Sequence, residues 1–191
     1  MKIILCPNPF RDKGLKAAYQ AQRILSAAGA KTEYCFPFPV EKSNIGDIDP
    51  SIKIKEMKTE LPDADFLVCF GGDGTILHAA KDASSFGVPI VGVNMGSVGF
   101  MAELEQGELS DLTRLVSGEY TLENRMLLDV RVIREGRVIF RSTALNDAVI
   151  TKGAVARVID LQVYGDKVLI SNVFGDGVIL STPTGSTAYS L

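Results

Sequence analysis

Residues 66–70, Phe-Leu-Val-Cys-Phe, form a continuous apolar run that passes straight into Gly71-Gly72-Asp73-Gly74-Thr75. An apolar run without polar alternation is buried on both faces, which is the habit of a central parallel strand. Helical spacing follows from about Thr75 to Ala83, and a second apolar run, Pro-Ile-Val-Gly-Val, occupies 89–93. Strand, glycine turn, helix and strand in this order make a βαβ unit. The chain around it is therefore expected to be an α/β layer structure.

The preceding residues extend that pattern. Residues 2–6 (Lys-Ile-Ile-Leu-Cys) read as a buried strand stopped by Pro7-Asn8-Pro9. Leu15, Ala18, Tyr19, Gln22 and Leu25 fall at helical spacing, with Gly29 placed just past the helix end. Residues 31–36 read as a second strand, 37–50 as a loop with three prolines, and 51–61 as weakly helical. The boundary is expected near Phe100–Gly107, and a helix over 109–116 opens the second half, after which extended segments dominate. The domains predicted are 1–100, α/β, and 101–191, β-rich. In the latter, residues 126–134 and 137–143 alternate about Glu135-Gly136, a hairpin signal. Extended runs at 145–151, 156–164, 167–174 and 177–181 are punctuated by Gly153, Gly165-Asp166 and Gly175-Asp176, which suggests a sandwich-like β-domain.

Composition narrows the function classes. A net charge of −3 makes a basic nucleic-acid face an unfavoured reading. No apolar run approaches the ~18 residues needed to span a bilayer, so no membrane partner is expected. The single histidine, His78, excludes a zinc site built on several histidines. Cys6, Cys35 and Cys69 lie in apolar stretches without CxxC spacing, which predicts buried thiols, a reducing compartment and a cytoplasmic location.

Four local patterns carry chemistry. In 71–75, glycines let backbone N–H groups converge and let a phosphate approach closely, and the helix behind adds partial positive charge. The same residues would also serve as a tight strand-to-helix turn with Thr75 as N-cap. A carboxylate there repels phosphate, so Asp73 needs a purpose: binding a metal, binding a hydroxyl or accepting a proton. The second pattern, Asn94-Met95-Gly96-Ser97-Val98-Gly99-Phe100, is either a ligand-lining turn or a crossover between domains. The third is Leu145-Asn146-Asp147-Ala148, whose amide and carboxylate could read a base edge or ribose hydroxyls, or could mark a β-bulge. The fourth is Gly175-Asp176-Gly177 followed by the hydroxyl-rich run from Ser181 to Tyr189, a loop suited to wrapping a polar ligand.

In this order the four patterns resemble the NAD kinase family. The stretches that carry the resemblance are FGGDGTILHAA, GVNMGSVGF, LNDAVI and GDGVILSTPTGSTAYSL. The GGDGT pentapeptide is shared with lipid kinases and resembles the phosphofructokinase loop. The pairing of NDAVI with the last stretch is the specific part. The resemblance runs from about residue 66 to the end and is looser over 1–65. It implies an α/β domain followed by a β-rich domain. The activity implied is transfer of the γ-phosphoryl of ATP to the 2′-hydroxyl of the adenosine ribose of NAD, with Mg²⁺ accompanying the nucleotide and a homo-oligomeric assembly. A lipid- or sugar-type kinase using the same loop, or a non-catalytic nucleotide-binding module, are the alternatives.

The resemblance also implies roles. Asp73 would be the general base, and Gly71, Gly72, Gly74 and Thr75 would shape the phosphate site, with Gly74 also against NAD. His78 would contact the bound nucleotide or simply face solvent. Asn146 and Asp147 would hold the adenosine part, with Arg157 near the ligand or on the surface. Asp176 would bind the nicotinamide end or its ribose, and Thr187, Ala188, Tyr189 and Ser190 would line the NAD site. The family continues past TAYSL with a glycine-rich run and further chain. The β-rich half that ends at Leu191 is thus expected to be incomplete and to present open strand edges.

Overall fold

The computed structural model describes residues 1–41, 48–96, 99–153 and 157–186. It divides into two compact units, Met1–Glu123 and Asn124–Leu191. The expected α/β domain followed by a β-rich domain is what these units contain.

Among its described residues the first unit is built on one parallel sheet of six strands: β1 (Lys2–Pro7), β2 (Lys31–Cys35), β3 (Ile54–Lys55), β4 (Phe66–Gly71), β5 (Ile90–Asn94) and β6 (Leu104–Glu105). Their order in space is β3-β2-β1-β4-β5-β6. The chain thus builds outward from β1 on one side, then returns to β4 on the other. β4 is buried at all six positions, as its unbroken apolar sequence requires. Its alternate residues serve two layers. Phe66, Val68 and Phe70 join a core with Ile3, Leu5, Leu15, Leu25, Leu109 and Leu112. Leu67 and Cys69 point to the opposite face, where the helix connecting β4 to β5 packs.

Helix α1 (Lys16–Ala27) is anchored at both ends. The Asp12 carboxylate accepts 3.0 Å hydrogen bonds from the backbone N–H of Ala17 and of Ala18, satisfying donors that a helix start leaves orphaned. At the other end Gly29 has φ +92°, the Gly29 N–H reaches the Ser26 carbonyl, and that of Ala30 reaches the Leu25 carbonyl. That is a Schellman termination, which needs a residue tolerant of the left-handed region. The ambiguous 51–61 segment resolves into β3 and a short helix, α2 (Met57–Glu60), followed by a 3₁₀ turn, Leu61–Asp63.

Residues 101–123, grouped by sequence pattern with the β-rich half, pack into the first unit. A 3₁₀ helix (Gln106–Leu112) leads into α4 (Thr113–Ser117), and Leu109, Leu112 and Leu115 enter the α/β core. Cys6, Cys35 and Cys69 are buried free thiols, as expected from their apolar surroundings. Cys6 and Cys69 sit opposite one another on β1 and β4. Burial pushes the Cys35 thiol up to about 12, and burial plus the neighbouring Cys69 raises Cys6 well above its ordinary value.

Among its described residues the second unit has three antiparallel ribbons. They are β7 (Leu128–Arg134) with β8 (Arg137–Ala144), β9 (Asp147–Thr151) with β12 (Gly177–Ser181), and β10 (Ile159–Gly165) with β11 (Val168–Gly175). Glu135 and Gly136 turn the first ribbon with φ of 49° and 74°, the left-handed pair that matches strand twist. The third ribbon turns on Asp166 and Lys167, also left-handed, one residue beyond the Gly165-Asp166 expected from sequence. Gly165 instead ends β10, where an added Cβ would lie 2.7 Å from the Ile170 side chain.

Candidate functional site

All six strands of the first sheet run parallel, so Pro7, Gly71 and Asn94 end β1, β4 and β5 at one edge. Between β1 and β4 the strand order reverses. In open α/β sheets, ligands bind outside the carboxyl ends of the strands at such a switch point. The GGDGT loop stands there. A Cβ on Gly71 would run into the Thr75 hydroxyl, so the turn can only close this tightly with glycine. A Cβ on Gly72 or Gly74 would meet nothing within 4 Å, so both face open space. Helix α3 (Asp73–Phe86) begins at Asp73 with Gly72 as its N-cap. Thr75 is therefore inside the first turn and is not the cap. It is buried, and its hydroxyl accepts a 3.0 Å hydrogen bond from the Asn8 side-chain amide.

Asn8 and Arg11 are residues that the motif reading passed over. The Asn8 N–H donates to the Phe70 carbonyl, and its own carbonyl accepts from the N–H groups of Arg11 and Asp12. It ties the end of β1 to the loop after β4. The Arg11 guanidinium lies 4.0 Å from the point a Gly96 Cβ would occupy, which sets a cation beside the second glycine turn. The available signal was Pro7-Asn8-Pro9 directly after a buried strand, read only as a strand stop.

The Asp73 carboxylate is engaged at both oxygens. Oδ2 accepts from the Phe100 N–H and Oδ1 from the Met101 N–H, each at 3.1 Å. The second glycine turn therefore closes onto the first. Its ends are fixed to the sheet: the Met95 N–H donates to the Gly71 carbonyl, and Glu103 exchanges two hydrogen bonds with Gly92 at 2.6 and 3.1 Å. The buried Asn94 side chain donates to the Glu105 carboxylate. Ser97 and Val98 lie outside the described residues. His78 is exposed on α3, its ring meets that of Phe38 in an edge-type arrangement with centroids 5.3 Å apart, and Phe38 stacks on Phe10 at 6.2 Å.

In the second unit two of the sequence motifs come together. Asp147 pairs with Ser181 across β9 and β12. The Thr182 N–H donates to the Asn146 carbonyl at 2.8 Å, and its hydroxyl lies 2.6 Å from the Leu145 carbonyl oxygen. A Cβ on Gly185 would collide with the Asn146 carbonyl, so the STPTG turn seats directly on the LNDA segment. Asp176 is not part of this cluster. It lies at the far end of the ribbon, about 17 Å away for five residues of strand rise, and pairs with Lys152 Nζ at 2.7 Å. Arg157 is exposed just before β10. Thr187, Ala188, Tyr189 and Ser190 lie outside the described residues.

Among the described residues no group of three or more His, Cys, Asp or Glu side chains could hold a metal ion. No helix among them is long and apolar enough to cross a membrane.

Comparison with known proteins bears on both units. The ATP-NAD kinase N-terminal domain model matches residues 4–120, and the ATP-NAD kinase C-terminal domain model matches residues 145–191. The NAD kinase of Acetivibrio thermocellus is 35% identical over 192 residues, covering 100% of this chain and 64% of the relative. That of Symbiobacterium thermophilum is 45% identical over 130 residues, 68% of this chain and 46% of the relative. The chain thus spans less than two thirds of the length of these relatives. The crystal structure of yeast NADH kinase complexed with NADH superposes with a TM-score of 0.79 at 23% identity, covering 100% of this chain and 60% of that one, a likeness of fold. With two family domains matched in order, one of them over more than half the chain, this protein belongs to the ATP-NAD kinase family.

Proposed function

We propose that the chain carries the phosphoryl-transfer site of an NAD kinase, with ATP as donor and the adenosine ribose 2′-hydroxyl of NAD as acceptor. The observation that carries this reading is Asp73, a carboxylate at the sheet's switch point within the glycine loop of a chain that belongs to this family. In the transfer, the 2′-oxygen forms a bond to the γ-phosphorus as the bond from that phosphorus to the β,γ-bridging oxygen breaks. ADP leaves, and the hydroxyl proton passes to the Asp73 carboxylate. Such a reaction asks the protein for positioning and charge neutralisation more than for covalent chemistry. The open faces of Gly72 and Gly74 and the loop N–H groups suit the phosphates, and the buried Thr75 shapes the turn from beneath through its contact with Asn8. Mg²⁺ would arrive on the nucleotide, since the described residues offer it no side-chain cage.

Asn146 and Asp147 are assigned to the adenosine part of NAD and Asp176 to its nicotinamide end or the ribose there. Their placement at opposite ends of the β9–β12 ribbon suits an elongated dinucleotide. Arg157, His78 and the segment Thr187, Ala188, Tyr189 and Ser190 complete the assignment as further NAD contacts. Homo-oligomeric assembly and a cytoplasmic location belong to the same proposal.

The test is incubation of the full-length protein with Mg-ATP and NAD, with NADP read by a coupled dehydrogenase. Lipid or sugar kinases and non-catalytic modules give no NADP. Asp73→Asn is expected to fold normally and to lose about 10²–10⁴ in kcat, the usual cost of losing a general base. Wild-type kcat in that variant would sink the assignment.

A further inference from the structure

We propose that Gly99, with the backbone of Phe100 and Met101, is a clamp that sets the direction of the Asp73 carboxylate, which makes Gly99 a positioning residue for the phosphoryl transfer. The inference rests on the function proposed above and adds a residue to which no role has been given.

Gly99 is not held by backbone conformation, since its φ lies outside the left-handed region. Its glycine is required by contact. An added Cβ would collide with Asp73 Oδ1 and lie 3.1 Å from Asp73 Cγ and 3.5 Å from Oδ2. The next two N–H groups along the chain each hold one oxygen of the same carboxylate. Three consecutive residues thus grip Asp73, one by shape and two by hydrogen bonds. An ionised carboxylate has about four lone-pair sites. Two are used by the clamp, and the rest stay available to a hydroxyl.

The clamp cannot simply retreat. Its downstream end is tied to β5 by the two hydrogen bonds between Glu103 and Gly92. A methyl group at residue 99 leaves two outcomes. Either the peptide moves outward and carries the Phe100 and Met101 N–H groups with it, or Asp73 rotates away from them. Both break the same two hydrogen bonds, and a displacement of about 1 Å in a reacting geometry can cost on the order of 10²-fold in rate.

The experiment is a double-mutant cycle on the full-length protein. Gly99→Ala should lower kcat by about 10–100-fold, leave KM for ATP and NAD within about threefold, and leave the thermal midpoint nearly unchanged. In the Asp73→Asn background the same substitution should change kcat by less than about twofold, because residues that act as a unit are not additive. Equal losses in both backgrounds would make Gly99 a general structural residue and overturn the clamp. So would an unimpaired Gly99→Ala beside an inactive Asp73→Asn. Wild-type kcat in Asp73→Asn would instead overturn the function proposed above. Amide hydrogen exchange tests the clamp without relying on Gly99→Ala to fold. In Asp73→Ala the Phe100 and Met101 amides should exchange at least about tenfold faster than in the parent protein. Unchanged exchange would refute the grip.

Discussion

The two units send their apolar side chains to different places. In Met1–Glu123, the β-strands at the centre of the sheet have helices over both faces, and Ile3, Leu5, Leu67, Val68 and Phe70 are removed from water. In Asn124–Leu191, Thr182 and Gly185 are the buried residues among those described. Ile170 and Phe174 are 68% and 75% exposed although their strands pair correctly. Strand pairing satisfies backbone groups but buries little apolar surface, and a two-stranded ribbon alone is marginal in water. A β-layer needs a second layer, which unit 1 draws from its own crossover helices and unit 2 does not find among its described ribbons.

Hydrogen exchange on the 191-residue chain gives the widest separation. Amides of β1 and β4 should exchange about three orders of magnitude more slowly than those of β10 and β11, because protection follows local burial. Equal protection in both units would show that the ribbons possess a core of their own and would remove the contrast. A pair of alanine substitutions sharpens it energetically. Leu67→Ala should cost about 2–5 kcal/mol in urea unfolding, while Ile170→Ala should cost no more than about 0.5 kcal/mol. A loss at Ile170 as large as that at Leu67 would mean that its strand face is covered in solution.

The smallest effect concerns pH, and the units should differ in sign. Burial raises the Asp12 carboxyl above its ordinary value, with the Ala17 and Ala18 N–H groups pulling against it. The folded state then holds that proton more tightly than the unfolded chain, so stability is greatest below the ordinary carboxylate range. It falls as pH rises through the raised value. Asp129 is held low by hydrogen bonds from Arg131 and Arg141, so its contribution is present above the ordinary range and is lost as pH falls. Asp12→Asn and Asp129→Asn should therefore change the acid slope of stability in opposite directions. Slopes that move together in acid titrations followed by circular dichroism would contradict the assignment.

Much of the first sheet is legible in the sequence. β4, the glycine turn, α3 and β5 appear in their expected places because a fully buried parallel strand leaves an unbroken apolar signature and glycine turns are local. The hairpin at Glu135-Gly136 was equally local. The turn at Asp166-Lys167 was displaced by one residue because aspartate also tolerates the left-handed region, which spreads the signal over neighbours. The 101–123 segment was assigned to the wrong neighbourhood. Its helical spacing shows that Leu109, Leu112 and Leu115 share a face, but not which core that face joins.

What the sequence determined by itself, then, is the α/β character of the first unit, the strands of the second and the residue types gathered in four motifs. All depend on interactions between residues near in sequence. The tertiary structure alone decided the rest. It brought Asn8 to Thr75 and Gly99 to Asp73, seated the STPTG turn on Asn146 and separated Asp176 from that cluster. Those are contacts between distant segments, set by sheet order and strand register, and no local propensity encodes which strand end will face which loop.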